Sequence, residues 1–231
     1  QLLNHAAKLH YIYDGQVTVP LVVRTPAGAG RGYGASHSQN LESLFFSTPG
    51  LKIVSPATPR DAKGLLSAAI ADPNPVLFIE PKALYGTRGE VPDGPIDVRI
   101  GEARQARQGD DLTLVAYGGG VQVGLSAAGE LAGGGLEADV IDLRTLNPLD
   151  METVCRSVQK TGRCLIFEEG HMTGGIGAEV SARIMEREFR NLQAPVARVA
   201  ARDVPYPAAT ELERQIVPSA EDICAAVERL F

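Results

Sequence analysis

A single histidine, His37, follows a run of small residues in the segment GYGASHSQN (residues 32–40). Alternating glycines precede it, which allows unusual backbone angles and the close approach of a ligand or another chain; they are Gly28, Gly30, Gly32 and Gly34. A neutral imidazole donates one hydrogen bond and accepts another, so His37 could orient or protonate a reactant. We expect a helix to begin at His37, and a helix N-terminus disfavours the imidazolium. These residues alone leave open a second interpretation, in which His37 is a purely structural histidine at the start of a helix.

Two adjacent glutamates, Glu168 and Glu169, end an expected strand just before a second glycine cluster, TGGIG (residues 173–177). Paired carboxylates can serve in acid–base catalysis, although a solvated strand end or a subunit contact is the simpler interpretation. An anion could bind at the N-terminus of the helix that follows the cluster. We favour the alternative that these glycines allow close packing of strand and helix.

The turn Asp72-Pro73-Asn74-Pro75 is a further candidate. Its residue types are typical of an ordinary turn. Such a turn also exposes backbone carbonyl oxygens, which could bind a hard monovalent cation. No cluster with the spacing of metal-ligating residues and no Ser-His-Asp order stands out elsewhere.

Apolar segments with strand and helix spacing alternate along the chain, which predicts an α/β fold of mostly parallel sheets with helices on both faces. The expected strands cover residues 19–24, 51–55, 76–80, 112–116, 138–143, 164–168 and 196–200. The expected helices cover residues 2–13, a segment beginning at Thr58, and residues 121–132, 151–160, 177–189 and 220–230. The loop that carries His37 leaves the carboxyl end of a strand, where parallel sheets bind ligands.

Between Pro81 and Ile100 the pattern gives way to proline, glycine and charge, which is typical of a linker. We therefore predict a first domain over residues 1–90, a linker over 91–100 and a second domain over 101–231. A dinucleotide-binding domain is disfavoured, because the glycines lack the spaced phosphate fingerprint and its ribose-binding acid.

The composition narrows the class of protein. The net charge of −6 argues against a nucleic-acid partner. No apolar run approaches the length of a membrane span. The three cysteines share no ligand spacing and are typical of reduced thiols, so we expect a cytoplasmic protein.

Four motifs carry a resemblance to a known family: HSQNLESLFFSTPGLKIVSPATPRDAKGLL (residues 37–66), LYGTRGEVP (84–92), VIDLRTLNPLD (140–150) and KTGRCLIFEEG (160–170). In this order they resemble the β subunit of the thiamine-dependent decarboxylating component of 2-oxo acid dehydrogenase complexes, which act on pyruvate, branched-chain 2-oxo acids or acetoin. The resemblance spans essentially the whole chain. It implies a transketolase-like fold, with a partial pyrimidine-binding domain followed by a transketolase C-terminal domain.

The resemblance implies oxidative decarboxylation of a 2-oxo acid, most simply pyruvate or a branched-chain 2-oxo acid, and reductive acylation of a lipoyl domain. The implied partners are an α subunit, in a heterotetramer of two α and two β subunits, and a lipoylated acyltransferase component. The implied cofactors are thiamine diphosphate and magnesium, which the α subunit mainly holds, and potassium.

By the same resemblance, His37 matches the active-site histidine of the family's HSQ motif. It would line the channel by which the lipoyl arm arrives and assist acyl transfer. The family's potassium site, which uses mainly backbone carbonyls and supports the loop of this histidine, matches Leu21, Ala69, Ile70, Asp72 and Asn74.

The sequence departs from the family in one respect. The glutamate that activates the cofactor is expected upstream of Gln1, and the surroundings of Glu42 and Glu80 do not match it. We therefore expect a β subunit without its N-terminal part, inactive on its own. The alternative is a non-catalytic assembly or docking module of the same fold.

Overall fold

Two β-sheets form the centre of the molecule. The computed structural model describes every residue from 1 to 231. The first sheet has the strand order β1 (Val22–Ala27), β3 (Val76–Pro81), β2 (Lys52–Val54) and β7 (Thr145–Asn147). The second has the order β4 (Arg104–Arg107), β6 (Ala138–Asp142), β5 (Leu112–Ala116), β8 (Cys164–His171) and β9 (Ala197–Ala201). Neighbouring strands are parallel except for β2 with β7 and β4 with β6, so the predicted α/β class is confirmed.

Eight α-helices accompany these sheets. They are α1 (Ala7–Ile12), α2 (Glu42–Phe46), α3 (Pro59–Ala71), α4 (Gly120–Gly133), α5 (Met151–Thr161), α6 (Ile176–Glu188), α7 (Thr210–Glu213) and α8 (Ala220–Val227). A π-helical turn, Leu2–Ala6, precedes α1, and a 3₁₀ turn, Lys82–Gly86, follows β3. Thr58 caps α3 as predicted, because its hydroxyl accepts the amide of Asp61 at 3.1 Å. None of the helices combines the length and the apolar character that a membrane crossing requires.

Strand β1 differs from the prediction in place and in environment. It begins at Val22 instead of Val19 and continues through Pro26 to Ala27. It lies at the edge of the first sheet and is only partly buried, not a fully buried strand. An edge position explains why Pro26 is tolerated. Proline has no N–H to donate, and one side of an edge strand has no neighbour that needs one.

Two short strands, β4 and β7, were not predicted from the sequence. Both are antiparallel to their neighbours, and each is too short for its alternation to stand out. Strand β7 lies late in the chain but pairs with β2, so Ile53 is opposite Asn147 and Val54 is opposite Thr145. The second half of the chain thereby completes the first sheet.

The hydrophobic core is continuous across the two sheets. One cluster of 20 buried residues joins Ile53 and Leu77 of the first sheet to Val115 and Ile141 of the second. A second cluster of 16 residues fills the other face of the second sheet, under α4 and α8. No helix or strand occurs between the 3₁₀ turn and β4. The division at residues 91–100 stays a prediction.

Candidate active site

The loop that carries His37 connects β1 to α2, and we call residues 28–41 the His37 loop. His37 lies in a turn and is exposed to solvent. Helix α2 begins only at Glu42, after the cap residue Leu41. The prediction that His37 begins a helix is therefore wrong, and the argument from a helix N-terminus does not apply to it. The loop takes this course because polar contacts from other parts of the chain hold it.

The backbone of the His37 loop folds back on itself. The amide of Gly28 donates to the carbonyl of Gln39 at 3.0 Å, which closes the loop at its base. All four alternating glycines have positive φ angles, between 64° and 93°. At Gly32 a side chain would meet the Ala208 carbonyl oxygen at 2.8 Å, so only glycine fits there. At Gly32 and Gly34 the close neighbour is Ala208 of the same chain; approach by a ligand or another chain stays a prediction.

Side chains distant in sequence hold the loop in place. The buried carboxylate of Glu213 accepts hydrogen bonds from the Gly32 amide and the Ser38 hydroxyl, both at 3.1 Å. The ammonium of Lys82 donates to the backbone carbonyl of His37. The side-chain amide of Asn40 donates to the backbone carbonyl of Glu169 at 3.1 Å. These contacts present the His37 imidazole to solvent from a fixed backbone.

Glu168 is buried, so its interpretation as a solvated strand end is wrong. One carboxylate oxygen accepts the Gly177 amide at 3.0 Å and the Arg198 guanidinium at 3.2 Å. A side chain at Gly175 would meet this oxygen at 2.5 Å, which explains the glycine. A carboxylate of the chain itself, that of Glu168, thus binds at the start of α6, and the close approach of strand and helix favoured for these glycines is observed. Burial raises the pKa of Glu168, and the hydrogen bond from Arg198 opposes that shift.

Tyr117 links Glu168 to α2. Its hydroxyl donates to a carboxylate oxygen of Glu42 at 2.7 Å and lies 3.3 Å from Glu168. Burial raises the pKa of Glu42, and its second oxygen has no hydrogen-bond partner. An unpaired buried carboxylate oxygen is costly. Helix α2 thus meets the second sheet through carboxyl groups that lie largely out of water.

Glu169 is half-buried beside the same contact. With Glu42 and Tyr117 it lines a small cavity of about 10 Å³, close to the minimum for one water molecule. A side chain at Gly119 would meet its carboxylate at 2.4 Å. Burial, with a smaller contribution from the charge of Glu42, raises the pKa of Glu169 to about 7. Glu169 therefore binds a proton in the neutral pH range.

The candidate potassium ligands lie where β1 begins beside the turn after α3. The Leu21 carbonyl accepts the Val76 amide at 2.9 Å, and the Ala69 carbonyl accepts the Asp72 amide at 3.3 Å. One Asp72 carboxylate oxygen accepts the Asn74 amide at 2.9 Å, and the other pairs with the Lys52 ammonium. Ile70 is exposed at the end of α3.

Two concave regions lie near these groups. An open groove of about 500 Å³ borders the His37 loop, between Ala35 and Gln39 on one side and His171 and Asp203 on the other. A more apolar cavity of about 360 Å³ lies at the start of α3, and no residue of the His37 loop lines it. The groove therefore adjoins the His37 loop through Ala35 and Gln39, on either side of His37 in sequence.

Comparison with known proteins gives one consistent result. Residues 2–88 match the family profile of the transketolase pyrimidine-binding domain, and residues 101–223 match that of the transketolase C-terminal domain. The chain is 44% identical over 99% of its length to the pyruvate dehydrogenase E1 component subunit beta of Rhizobium meliloti, of which it covers 50%. It is also 44% identical over 99% of its length to the acetoin:2,6-dichlorophenolindophenol oxidoreductase subunit beta of Cupriavidus necator, of which it covers 68%. The chain belongs to the E1 β-subunit family.

A solved structure supports the fold of this E1 β-family chain. It is described as a split gene transketolase, inactive beta4 tetramer, and it matches with a TM-score of 0.72 at 26% identity. The match covers 97% of this chain and 72% of that one. The predicted transketolase-like fold is confirmed. The chain spans between half and about two thirds of the two curated relatives named above.

Several polar groups of this E1 β-family chain were not predicted to act together. Lys82 and Glu213 lie far from His37 in sequence, and neither belongs to a recognisable short motif. Tyr117 and Glu42 are separated by 75 residues. The sequence offered one general signal. A charged residue within an apolar segment is seldom buried unless it has a partner, so such a residue indicates a polar contact.

The protonation of Glu169 gives a testable pH dependence. Its carboxyl stays protonated in the folded chain up to a pH of about 7, whereas its ordinary pKa is 4.5. Folded protein therefore binds more protons than unfolded protein between these values, and the free energy of unfolding should fall as the pH rises through them. Glu169→Gln should remove about 2–3 kcal/mol of this fall, as measured by urea unfolding at pH 5 and at pH 8.

Glu186→Gln is the matched control, because Glu186 is exposed on α6. Burial also raises the pKa of other groups near the Glu169 site, which affect the absolute curve; they are Glu42, Glu168, Tyr117 and Tyr206. The two variants are therefore compared by the change in the slope of the free energy of unfolding against pH. An identical slope for Glu169→Gln and the unaltered chain would contradict the assignment.

Proposed function

We propose that this chain is the β subunit of a decarboxylating 2-oxo acid dehydrogenase, which oxidatively decarboxylates a 2-oxo acid and acylates a lipoyl domain. The observation that carries the proposal is the exposed imidazole of His37 on a loop held by buried contacts, within a chain 44% identical to E1 β subunits. Pyruvate or a branched-chain 2-oxo acid is the proposed substrate class. The proposed partners are an α subunit, in a heterotetramer of two α and two β subunits, and a lipoylated acyltransferase.

The residues of this chain fit part of what thiamine diphosphate requires. His37 is exposed to solvent, as a group that meets a reactant must be, and its neighbours Ala35 and Gln39 line an open groove. No three or more His, Cys, Asp or Glu side chains come together in a way that could hold a metal ion. The proposal therefore assigns magnesium and the diphosphate mainly to the α subunit. When bound, the cofactor supplies the electron sink for the loss of carbon dioxide.

The role proposed for His37 is to hold or move a proton during acyl transfer to the lipoyl group. One ring nitrogen can donate while the other accepts, which suits a group that meets both a developing charge and an incoming thiol. The backbone of His37 is tied to Lys82 and the adjacent Ser38 to Glu213. A fixed donor loses little orientation freedom at the moment of reaction.

Potassium is the third proposed cofactor, at the turn after α3. Hard cations prefer oxygen ligands, and the proposed set offers backbone carbonyls from two adjoining segments. Lys52 already neutralises the carboxylate of Asp72. The cation would therefore be held mainly by neutral carbonyl dipoles, and its role would be to support β1 and the His37 loop that follows it.

A non-catalytic assembly module is the second candidate function. One observation favours it: the solved relative with a TM-score of 0.72 is described as an inactive tetramer of β chains. Assay of the full-length β subunit with its α subunit separates the two candidates. Thiamine-dependent loss of carbon dioxide supports the enzyme, and its absence in a correctly assembled heterotetramer supports the module.

Replacement of His37 tests the proposed chemistry. In the assembled heterotetramer, His37→Ala should lower the rate of lipoyl acylation on the order of a hundredfold, because one preorganised hydrogen bond to the transition state is lost. Reduction of an artificial dye by the same enzyme should change much less, since it bypasses the lipoyl group. His5→Ala, at an exposed helical position, is the matched control. Unchanged lipoyl acylation in His37→Ala would exclude the role.

The potassium proposal predicts an ion-specific effect on stability. At equal ionic strength, potassium chloride should raise the thermal midpoint of the chain more than lithium chloride does, because lithium is too small for a ring of fixed carbonyls. Rubidium, which is close to potassium in size, should act like potassium. Equal midpoints in potassium and lithium would count against the site.

A further inference from the structure

Glu213 is a buried carboxylate that the function described so far does not use. It is 1% exposed and ends the short helix α7, in the C-terminal part of the chain. A buried carboxylate is stable only if its oxygens are hydrogen-bonded and its charge is balanced. Both conditions are met by groups of the His37 loop and of the 3₁₀ turn beneath it.

The two oxygens of Glu213 hold the two sides of the segment that contains His37. Oε2 accepts the Gly32 amide, and Oε1 accepts the Ser38 hydroxyl, each at 3.1 Å. One side chain thus spans six positions of the loop and fixes their separation. Bonds to a charged acceptor are about twice as strong as neutral ones.

Lys82 completes the contact from the other side. Its ammonium donates to the carbonyl of His37 and lies 5.2 Å from the centre of the Tyr33 ring. Burial lowers the pKa of Lys82, and the charge of Glu213 is the largest opposing effect. The negative charge of Glu213 and the positive charge of Lys82 therefore attract each other, and both groups bind the His37 loop.

We propose that Glu213 is the positioning residue for His37, acting through the Gly32 amide, the Ser38 hydroxyl and the charge of Lys82. This inference rests on the proposed function of His37. A displacement of about 1 Å at a reacting group can cost on the order of a hundredfold in rate. The C-terminal part of the chain would then determine where a catalytic group in the N-terminal part stands.

The test compares Glu213→Gln with Glu211→Gln in the assembled heterotetramer. Glu211 is the matched control, because it is an exposed glutamate on the same short helix. Glutamine keeps the shape of the side chain but removes its charge and one acceptor. Glu213→Gln should lower lipoyl acylation 10- to 100-fold while the KM for the 2-oxo acid and the reduction of an artificial dye change less than twofold. Glu211→Gln should change none of these quantities.

Hydrogen–deuterium exchange gives a second measurement that is independent of activity. Peptides covering residues 28–41 should exchange faster in Glu213→Gln, while peptides of β3 and α3 should not change. Ser38→Ala removes one of the two hydrogen bonds without a buried charge and should show a smaller effect in the same direction. It provides the test if Glu213→Gln does not fold.

The outcomes separate this inference from the proposed function. If His37→Ala abolishes acylation but Glu213→Gln and Ser38→Ala leave both acylation and loop exchange unchanged, the inference is overturned and the function stands. If His37→Ala has no effect, the catalytic role of His37 fails, and with it the positioning role. Equal losses of acylation and dye reduction in Glu213→Gln would also overturn the inference, because they indicate general structural damage.

Discussion

The burial of carboxyl groups where helix α2 meets the second sheet is the constraint on which this structure depends. Removing a carboxylate from water costs several kcal/mol unless hydrogen bonds and an opposite charge replace the solvent. Glu168 meets this requirement with the Arg198 guanidinium and the Gly177 amide. Tyr117 lies 3.3 Å from Glu168 and donates to Glu42, so it fixes α2 against the second sheet. Movement of α2 away from this sheet would break a buried hydrogen bond.

This constraint extends to the candidate histidine through the backbone. The Glu169 carbonyl, next to Glu168, accepts hydrogen bonds from Asn40 and Tyr206. Asn40 follows His37 by three residues, so the loop and the end of β8 are held at fixed separation. Glycines at the contact points leave space for carboxylates and carbonyls, as at Gly119 and Gly177. The chemistry proposed for His37 thus depends on groups from both halves of the chain.

Sequence patterns predicted the elements that have strong local signals. Helix α3 was found because Thr58 and Pro59 mark its start, and the buried strand β5 was found with its bounds, residues 112–116. Strand β7 was missed because its three residues carry no periodicity, and its partner β2 lies about ninety residues earlier. Loops and contacts of this kind are set by tertiary packing, which a local pattern does not encode.

The candidate site was predictable only in part for the same reason. His37 was identified from its glycine-rich surroundings and the HSQ motif, but its position at a helix start was wrong. Lys82 and Glu213 could not be associated with it, because nothing in sequence spacing brings together residues that are 45 and 175 positions away from the loop residues they bind. Glu168 and Glu169 were noted as a pair, yet the sequence did not reveal that one is paired with Arg198 while the other faces a small cavity.

A double-mutant cycle between Tyr117 and Glu42 tests most directly whether a buried hydrogen bond joins α2 to the second sheet. The free energy of unfolding would be measured by urea denaturation for Tyr117→Phe, Glu42→Ala and the double variant. The account predicts a coupling energy of about 1–3 kcal/mol, because a buried bond to a carboxylate is lost in either single variant. Additive effects, with a coupling energy of about zero, would contradict the claim that this contact holds α2, which directly follows the His37 loop, against the second sheet.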